Sequence, residues 1–422
     1  MALTQIDGGY LRRYVDDELD ELLPHLRAIA LDGPRGVGKT ETAGRRADDV
    51  FALDDPEVRR LVEADPDGAL ARGATVLLDE WQHLPQLWDH VRRAVDARTE
   101  HRYLLAGSAS PAPGTETHTG AGRILSLRMR PMSLAERPGT TPTVLIRHLF
   151  EGGAAIEGES NVRLADYARE ICASGFPEVR ALAARARRPT LESYIARIID
   201  RDVPESGTTV RRPAAMRAWM TAYAAASSTT RDYVKLLDAA TPGDADKPSK
   251  NTSRTYRETL TRLWVLDPVP AWMPGNAPLT RLTQAPKHQL ADPAIAASLL
   301  NTAEEALLSG ARGRTELFGR LFESLATLTV RAAGAACEAR THHLRTRGGD
   351  HEVDLLLERH DGAVVAFEVK LARTVDDADA RHLHWLGDQI GDRLRDKVVL
   401  TTGSMAYRRR DGVAVVPLAL LG

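Results

Sequence analysis

The feature that most constrains this chain is the turn Gly33-Pro34-Arg35-Gly36-Val37-Gly38-Lys39-Thr40, which follows directly on the apolar run Ala28-Ile29-Ala30-Leu31. This is a complete GxxxxGK[ST] pattern in the setting it requires, between a strand and a helix. Its glycines allow backbone N–H groups to converge on an anion, and the helix that follows adds partial positive charge there. Gly33, Pro34, Arg35, Gly36, Val37 and Gly38 are therefore the expected cradle for the phosphates of ATP. Lys39 is placed to reach the β- and γ-phosphates, and the Thr40 hydroxyl to ligate Mg²⁺. The chain has seven lysines against 49 arginines, so a lysine at this position is more informative than usual.

A second apolar run, Ala74-Thr75-Val76-Leu77-Leu78, ends in two carboxylates, Asp79 and Glu80. A parallel strand covered on both faces is expected to be apolar throughout. Asp79 at its tip would hold Mg²⁺, and Glu80 would polarise the attacking water. A third run, Tyr103-Leu104-Leu105-Ala106, leads into Gly107-Ser108. Ser108 is the candidate for contact with the γ-phosphate or the water; ordinary turn chemistry is the alternative. Together these runs predict an α/β fold beginning with a P-loop NTPase parallel sheet.

A length of 422 residues predicts two to four domains. With 56 basic and 58 acidic residues, a net charge of −2, there is no global attraction to nucleic acid. Contact with DNA would need a local patch. Two cysteines, Cys172 and Cys337, cannot build a disulfide framework and predict free, buried thiols in a reducing compartment. No run is long and apolar enough for a membrane span, and Asp7, Asp16 and Asp17 stand where a signal peptide would be apolar. A cytoplasmic protein with no membrane partner is expected.

Four regions separate along the chain: the ATPase core at 1–145, a helical lid or linker at 146–205, a mainly helical part at 206–310, and an α/β part at 311–422. In the third, residues 253–264 place Tyr256, Leu260, Leu263 and Trp264 on one helical face, with Arg254, Arg257 and Thr261 opposite. Asn251, Thr252 and Ser253 are candidate N-caps. With β-like runs at 265–269 and 279–283, the part resembles a winged helix, a module that contacts either DNA or protein. In the fourth, a helix carries Glu323 beside the stripe Leu317, Phe318, Leu321, Phe322, Leu325 and Leu328. Strand periodicity puts Glu352 and Asp354 on one face of 351–357, and Glu368 and Lys370 on one face of 364–370. A hairpin through Asp361-Gly362 would bring Asp354 and Glu368 to one edge.

This helix–strand–strand set is similar to the PD-(D/E)XK nuclease core. There, carboxylates such as Glu323, Asp354 and Glu368 hold Mg²⁺ or Mn²⁺, and a lysine such as Lys370 orients the attacking water. Cross-strand ion pairs on a solvated face are the alternative.

The phosphate loop, the segment 77–85, the strand end at 104–111 and the stretch 121–136 resemble a bacterial and archaeal family. Its members join an AAA-type P-loop ATPase to a C-terminal domain of unknown function, number 4143. The resemblance continues through Ser174-Gly175-Phe176-Pro177-Glu178, Arg201-Asp202, Ala285-Pro286-Lys287-His288 with Asp292, Leu386-Gly387, Thr402-Gly403 and Pro417-Leu418. It implies an ATPase related to archaeal-type and signal-transduction ATPases, with homo-oligomers among its relatives. It also implies an arginine finger after the third strand, with Arg123 the best match and Arg128 or Arg130 next; a structural salt bridge is the alternative. The expected function is an ATPase switch or motor whose C-terminal part acts on, or binds, nucleic acid. The alternatives are a regulatory ATPase that binds only proteins, and a restriction-type nuclease gated by ATP.

Overall fold

The computed structural model describes residues 6–7, 9–108, 120–239, 248–273 and 285–422. Strand β1 (Ala28–Asp32) runs into the phosphate loop and helix α1 (Lys39–Gly44). Strands β2 (Asp49–Ala52) and β3 (Thr75–Asp79), helix α2 (Leu87–Asp96), and strands β4 (Arg102–Gly107) and β5 (Leu125–Arg128) follow. The five strands form one parallel sheet in the order β2-β3-β4-β1-β5. Strand alternation sorts their apolar residues onto two faces. Ala28, Ala30, Val76, Leu78, Tyr103 and Leu105 join a core beneath α2. Ile29, Leu31, Leu77, Leu104 and Ala106 point the other way, into a core that continues through the rest of the protein. A sheet buried on both faces explains why these strands are apolar without interruption.

Strand β6 (Gly158–Glu159) precedes helices α3 (Leu164–Ala173) and α4 (Ala184–Arg197), and a π-helical turn at Ile198–Asp202 extends α4. Beyond lie helices α5 (Lys250–Arg262), α6 (Pro293–Leu299) and α7 (Arg312–Ala335). Strands β7 (Ala339–Arg345), β8 (Glu352–Arg359) and β9 (Val364–Val369), helix α8 (Asp377–Ile390), and strands β10 (Leu394–Thr401), β11 (Met405–Arg408) and β12 (Ala414–Pro417) complete the chain. These make a second, mixed sheet in the order β6-β11-β12-β10-β9-β8-β7. The protein is thus a P-loop NTPase-like parallel α/β unit followed by a second α/β sheet. Among the described residues, no helix is long and apolar enough to cross a membrane.

Several expectations need adjustment. The segment 146–205 is not purely helical, because β6 pairs with β11 at the edge of the second sheet. Helix α5 begins earlier than the sequence suggested: its N-cap is Ser249, whose hydroxyl accepts from the Thr252 N–H at 3.1 Å. Asn251, Thr252 and Ser253 lie inside the helix. The β-like run at 265–269 is reduced to isolated bridges, Leu266 with Leu290 and Val269 with Lys287. The run at 279–283 lies outside the described residues. On the polar face of α5, Arg257 stacks over Tyr233 at 4.5 Å, and Arg254 lies 3.8 Å from Glu258. Cys172 and Cys337 are free but only half-buried, and burial pushes their thiols up to about 12 and about 11.

Candidate nucleotide site and the C-terminal carboxylate cluster

The phosphate loop closes tightly because its sequence permits it. Gly38, which caps α1, has φ of 100°, in the left-handed region open to glycine. At Gly33 an added Cβ would lie 2.2 Å from the Met129 carbonyl oxygen. Lys39 is 5% exposed and donates to the Gly33 and Pro34 carbonyls at 2.8 and 3.0 Å. The Thr40 hydroxyl donates to Asp79, 2.9 and 3.0 Å from its two carboxylate oxygens. The donor set fits Mg²⁺-ATP: a hydroxyl and a carboxylate for the ion, an ammonium and the loop's backbone N–H groups for the phosphates.

Glu80 holds a left-handed backbone, φ 52°, which non-glycine residues adopt at a cost and which recurs at functional sites. One of its oxygens, Oε2, accepts from the Ser108 hydroxyl at 3.0 Å and from the Gln82 amide. The Gln82 amide also donates to Ser108 at 3.2 Å. The structure therefore brings Lys39, Thr40, Asp79, Glu80 and Ser108 together as the sequence suggested, and adds Gln82. Only the position of Gln82, two residues after Glu80, could have signalled it.

Arg123 is not drawn into this group. Its guanidinium pairs with Asp96 at the end of α2, 2.9 Å away, so the salt-bridge alternative describes it. Arg128 and Arg130 are also engaged elsewhere. Arg128 stacks over Trp264 at 3.8 Å, and Arg130 binds Asp267 at 2.7 Å, with Arg331 3.3 Å from the same carboxylate. Burial opposes ionisation of Asp267, yet Arg130, Arg331 and Arg128 hold it well below the carboxylate range. Since β5 lies beside β1, this cluster ties the strand next to the phosphate loop to the middle of the chain.

A cavity of about 920 Å³ opens over the loop, lined on one side by Gly36, Lys39 and Glu80 and on the other by Arg169, Pro177 and Arg180. Arg35 reaches from the loop to Asp202 on the π-helical turn, at 2.9 Å. The Tyr194 hydroxyl donates to the Arg35 carbonyl at 3.2 Å.

Burial pushes the Lys39 ammonium down to about 8, although the Glu80 charge opposes the shift. Between about 8 and the ordinary 10.5, the empty site holds a neutral amine, whereas bound phosphates favour the ammonium. ATP binding should therefore take up a proton in this window. Affinity should be flat below this window and fall by up to about tenfold per pH unit within it. Calorimetry at about pH 9 in buffers of different ionisation heat measures this directly; zero proton uptake would remove Lys39 as the titrating group.

The C-terminal carboxyls also converge. The β8–β9 register pairs Leu355 with Phe367, so Asp354 stands directly opposite Glu368. Asp354 Oδ2 accepts from the Val369 N–H at 3.0 Å. Lys370 Nζ lies 3.4 Å from Glu368 and 3.9 Å from Asp379. What the sequence did not place is Lys287. Its fully buried ammonium donates to Glu323 at 2.7 Å and to Asp354 Oδ1 at 3.1 Å, and lies 3.9 Å from Glu352. The Lys287 ammonium thus sits between Glu323 and Asp354, two of the three carboxyls expected to hold Mg²⁺ or Mn²⁺. Among the described residues, no group of three or more His, Cys, Asp and Glu side chains is arranged to hold a metal ion. Burial, the Asp354 charge and contact with that carboxyl push Glu368 well above the carboxylate range. Burial works the same way on Asp354, but Lys287 and the Val369 N–H outweigh it and hold that carboxyl low.

Residues 25–137 match the family described as an AAA domain. Residues 318–421 match a domain of unknown function, DUF4143, and residues 164–306 match another, DUF8612. No curated protein matches the chain.

Proposed function

We propose that this chain is an ATP-hydrolysing switch in which the nucleotide site drives a C-terminal module that binds a partner and does not cut one. The observation that carries the reading is the assembled set at the mouth of the parallel sheet: Lys39 in the loop, Thr40 bonded to Asp79, and Glu80 held by Ser108 and Gln82. Lys39 would exchange its two loop carbonyls for phosphate oxygens. Thr40 and Asp79 would hold Mg²⁺, which when bound offsets phosphate charge. Glu80 would take a proton from the attacking water, its carboxylate aimed by Ser108 and Gln82.

Three contacts supply the coupling. Arg35, inside the loop, would sense phosphate and loosen from Asp202 of the π-helical turn. Arg128, which ends the strand beside β1, and Arg130 just after it would pass a shift of that strand to Trp264 and Asp267. The C-terminal part is read as a nuclease-like fold retained for binding, with nucleic acid or a protein as the partner.

The test is phosphate release from Mg²⁺-ATP by the full chain, run beside single- and double-stranded DNA and RNA with Mn²⁺. Phosphate should appear while the strands stay intact. A correctly folded protein that releases no phosphate, with or without nucleic acid, would end the ATPase reading. Cleavage lost in Asp354→Asn would replace the binding module with a nuclease.

A further inference from the structure

The buried carboxyl cluster at Glu323, Asp354 and Glu368 has the composition of a divalent-cation site but the contents of an ion pair. Glu368 is 3% exposed, and its Oε1 has no hydrogen-bond partner, so the cluster includes a buried polar atom left unsatisfied. The space between Glu323 and Asp354 is already taken by the Lys287 ammonium, at 2.7 and 3.1 Å. A cation bound there would have to displace a charge that is itself fully buried.

Lys287 is not a loose side chain that happened to fall in. Its backbone exchanges both hydrogen bonds with Val269, each 2.9 Å. The next residue, His288, donates its N–H to the Thr229 carbonyl at 2.8 Å, and its Nε2 sits 2.7 Å from the Arg231 carbonyl. The Gln289 amide donates to Ser228 at 2.9 Å. Withdrawing the ammonium would mean breaking this ladder or leaving several carboxyls buried with no positive charge among them, each costly.

We infer that Lys287 is a permanent internal counter-ion, supplied by the middle of the chain where three carboxyls of this composition would otherwise call for a divalent cation. The cluster is then a pin between the middle segment and the second sheet. It serves to fix how those two parts sit together, and it has no free position for a metal-bound phosphodiester. The inference extends the binding-module reading above and is independent of the nucleotide site, so ATP turnover remains a separate readout.

The test uses the full chain without nucleotide and Mn²⁺ alone, with bound Mn²⁺ counted from the loss of the free-ion resonance. Wild type and Asp354→Asn should bind the same number of ions, since Asp354 serves no metal. Lys287→Met should have a lowered Tm and gain one Mn²⁺ per chain, at least about tenfold tighter than any site in wild type. Added Mn²⁺ should restore its Tm, and Asp354→Asn in that background should abolish both effects. Loss of a bound ion from wild type on Asp354→Asn would overturn the inference, as would a folded Lys287→Met that binds no additional Mn²⁺. Should Lys287→Met fail to fold, the comparison of wild type with Asp354→Asn decides alone.

Discussion

Glu80→Gln should leave ATP bound and slow its turnover by about 100-fold or more, the usual range for removing a general base. The substitution preserves the shape of the side chain and removes its ability to take a proton. Two neighbours make the effect specific. The Ser108 hydroxyl and the Gln82 amide both donate to Glu80 Oε2, so the native carboxylate is oriented before any water arrives. An amide at position 80 either puts an NH₂ group where Oε2 accepts both bonds or keeps its one oxygen there and puts the NH₂ in place of Oε1. A factor of 100 corresponds to about 2.7 kcal/mol of barrier, a size that single-turnover phosphate release resolves easily. The strained backbone at Glu80, φ 52°, is unchanged by the substitution, so the melting temperature should move little. Turnover equal to wild type would reduce Glu80 to a strand-end carboxylate, and the hydrolytic mechanism would need another base.

How much of this site could be read beforehand follows from the range of its interactions. The phosphate loop, Asp79, Glu80 and Ser108 sit at the ends of strands that are apolar because both faces of their sheet are covered. Local pattern alone therefore places them at one mouth. Asp354 and Glu368 were legible for a similar reason: strand alternation and a single hairpin set them opposite one another. Lys287 was not legible. Its partners Glu323 and Asp354 lie 36 and 67 residues away in sequence, and no periodicity links a residue in an irregular segment to a helix and a strand so distant. Its one signal was scarcity, as one of seven lysines in a segment already quoted for family resemblance. Arg123 failed in the opposite way, because position after a strand does not specify which carboxylate lies nearest, and Asp96 on α2 was nearer. The start of α5 is not legible because capping residues crowd its first turn, and Ser249, ahead of Asn251, Thr252 and Ser253, is the one that caps it.

Lys39→Ala should weaken ATP binding by at least about 100-fold, since hydrogen bonds to charged groups contribute about 1.5–3 kcal/mol each and this ammonium would make more than one to the phosphates. The loop's N–H groups would remain, but dipoles fixed in the backbone do not replace a full positive charge in a site screened from water. The effect on folding should be far smaller. Lys39 is 5% exposed, and burial already favours its neutral form, so deleting the ammonium also deletes its desolvation cost. The loss is confined to the two bonds it gives the Gly33 and Pro34 carbonyls. A large drop in affinity with a nearly unchanged melting temperature therefore separates a binding lysine from a structural one. Titration calorimetry with Mg²⁺-ATP on a variant shown to be folded gives both quantities. Wild-type affinity in that variant would remove the loop from nucleotide binding, and with it the premise that this sheet carries an ATPase.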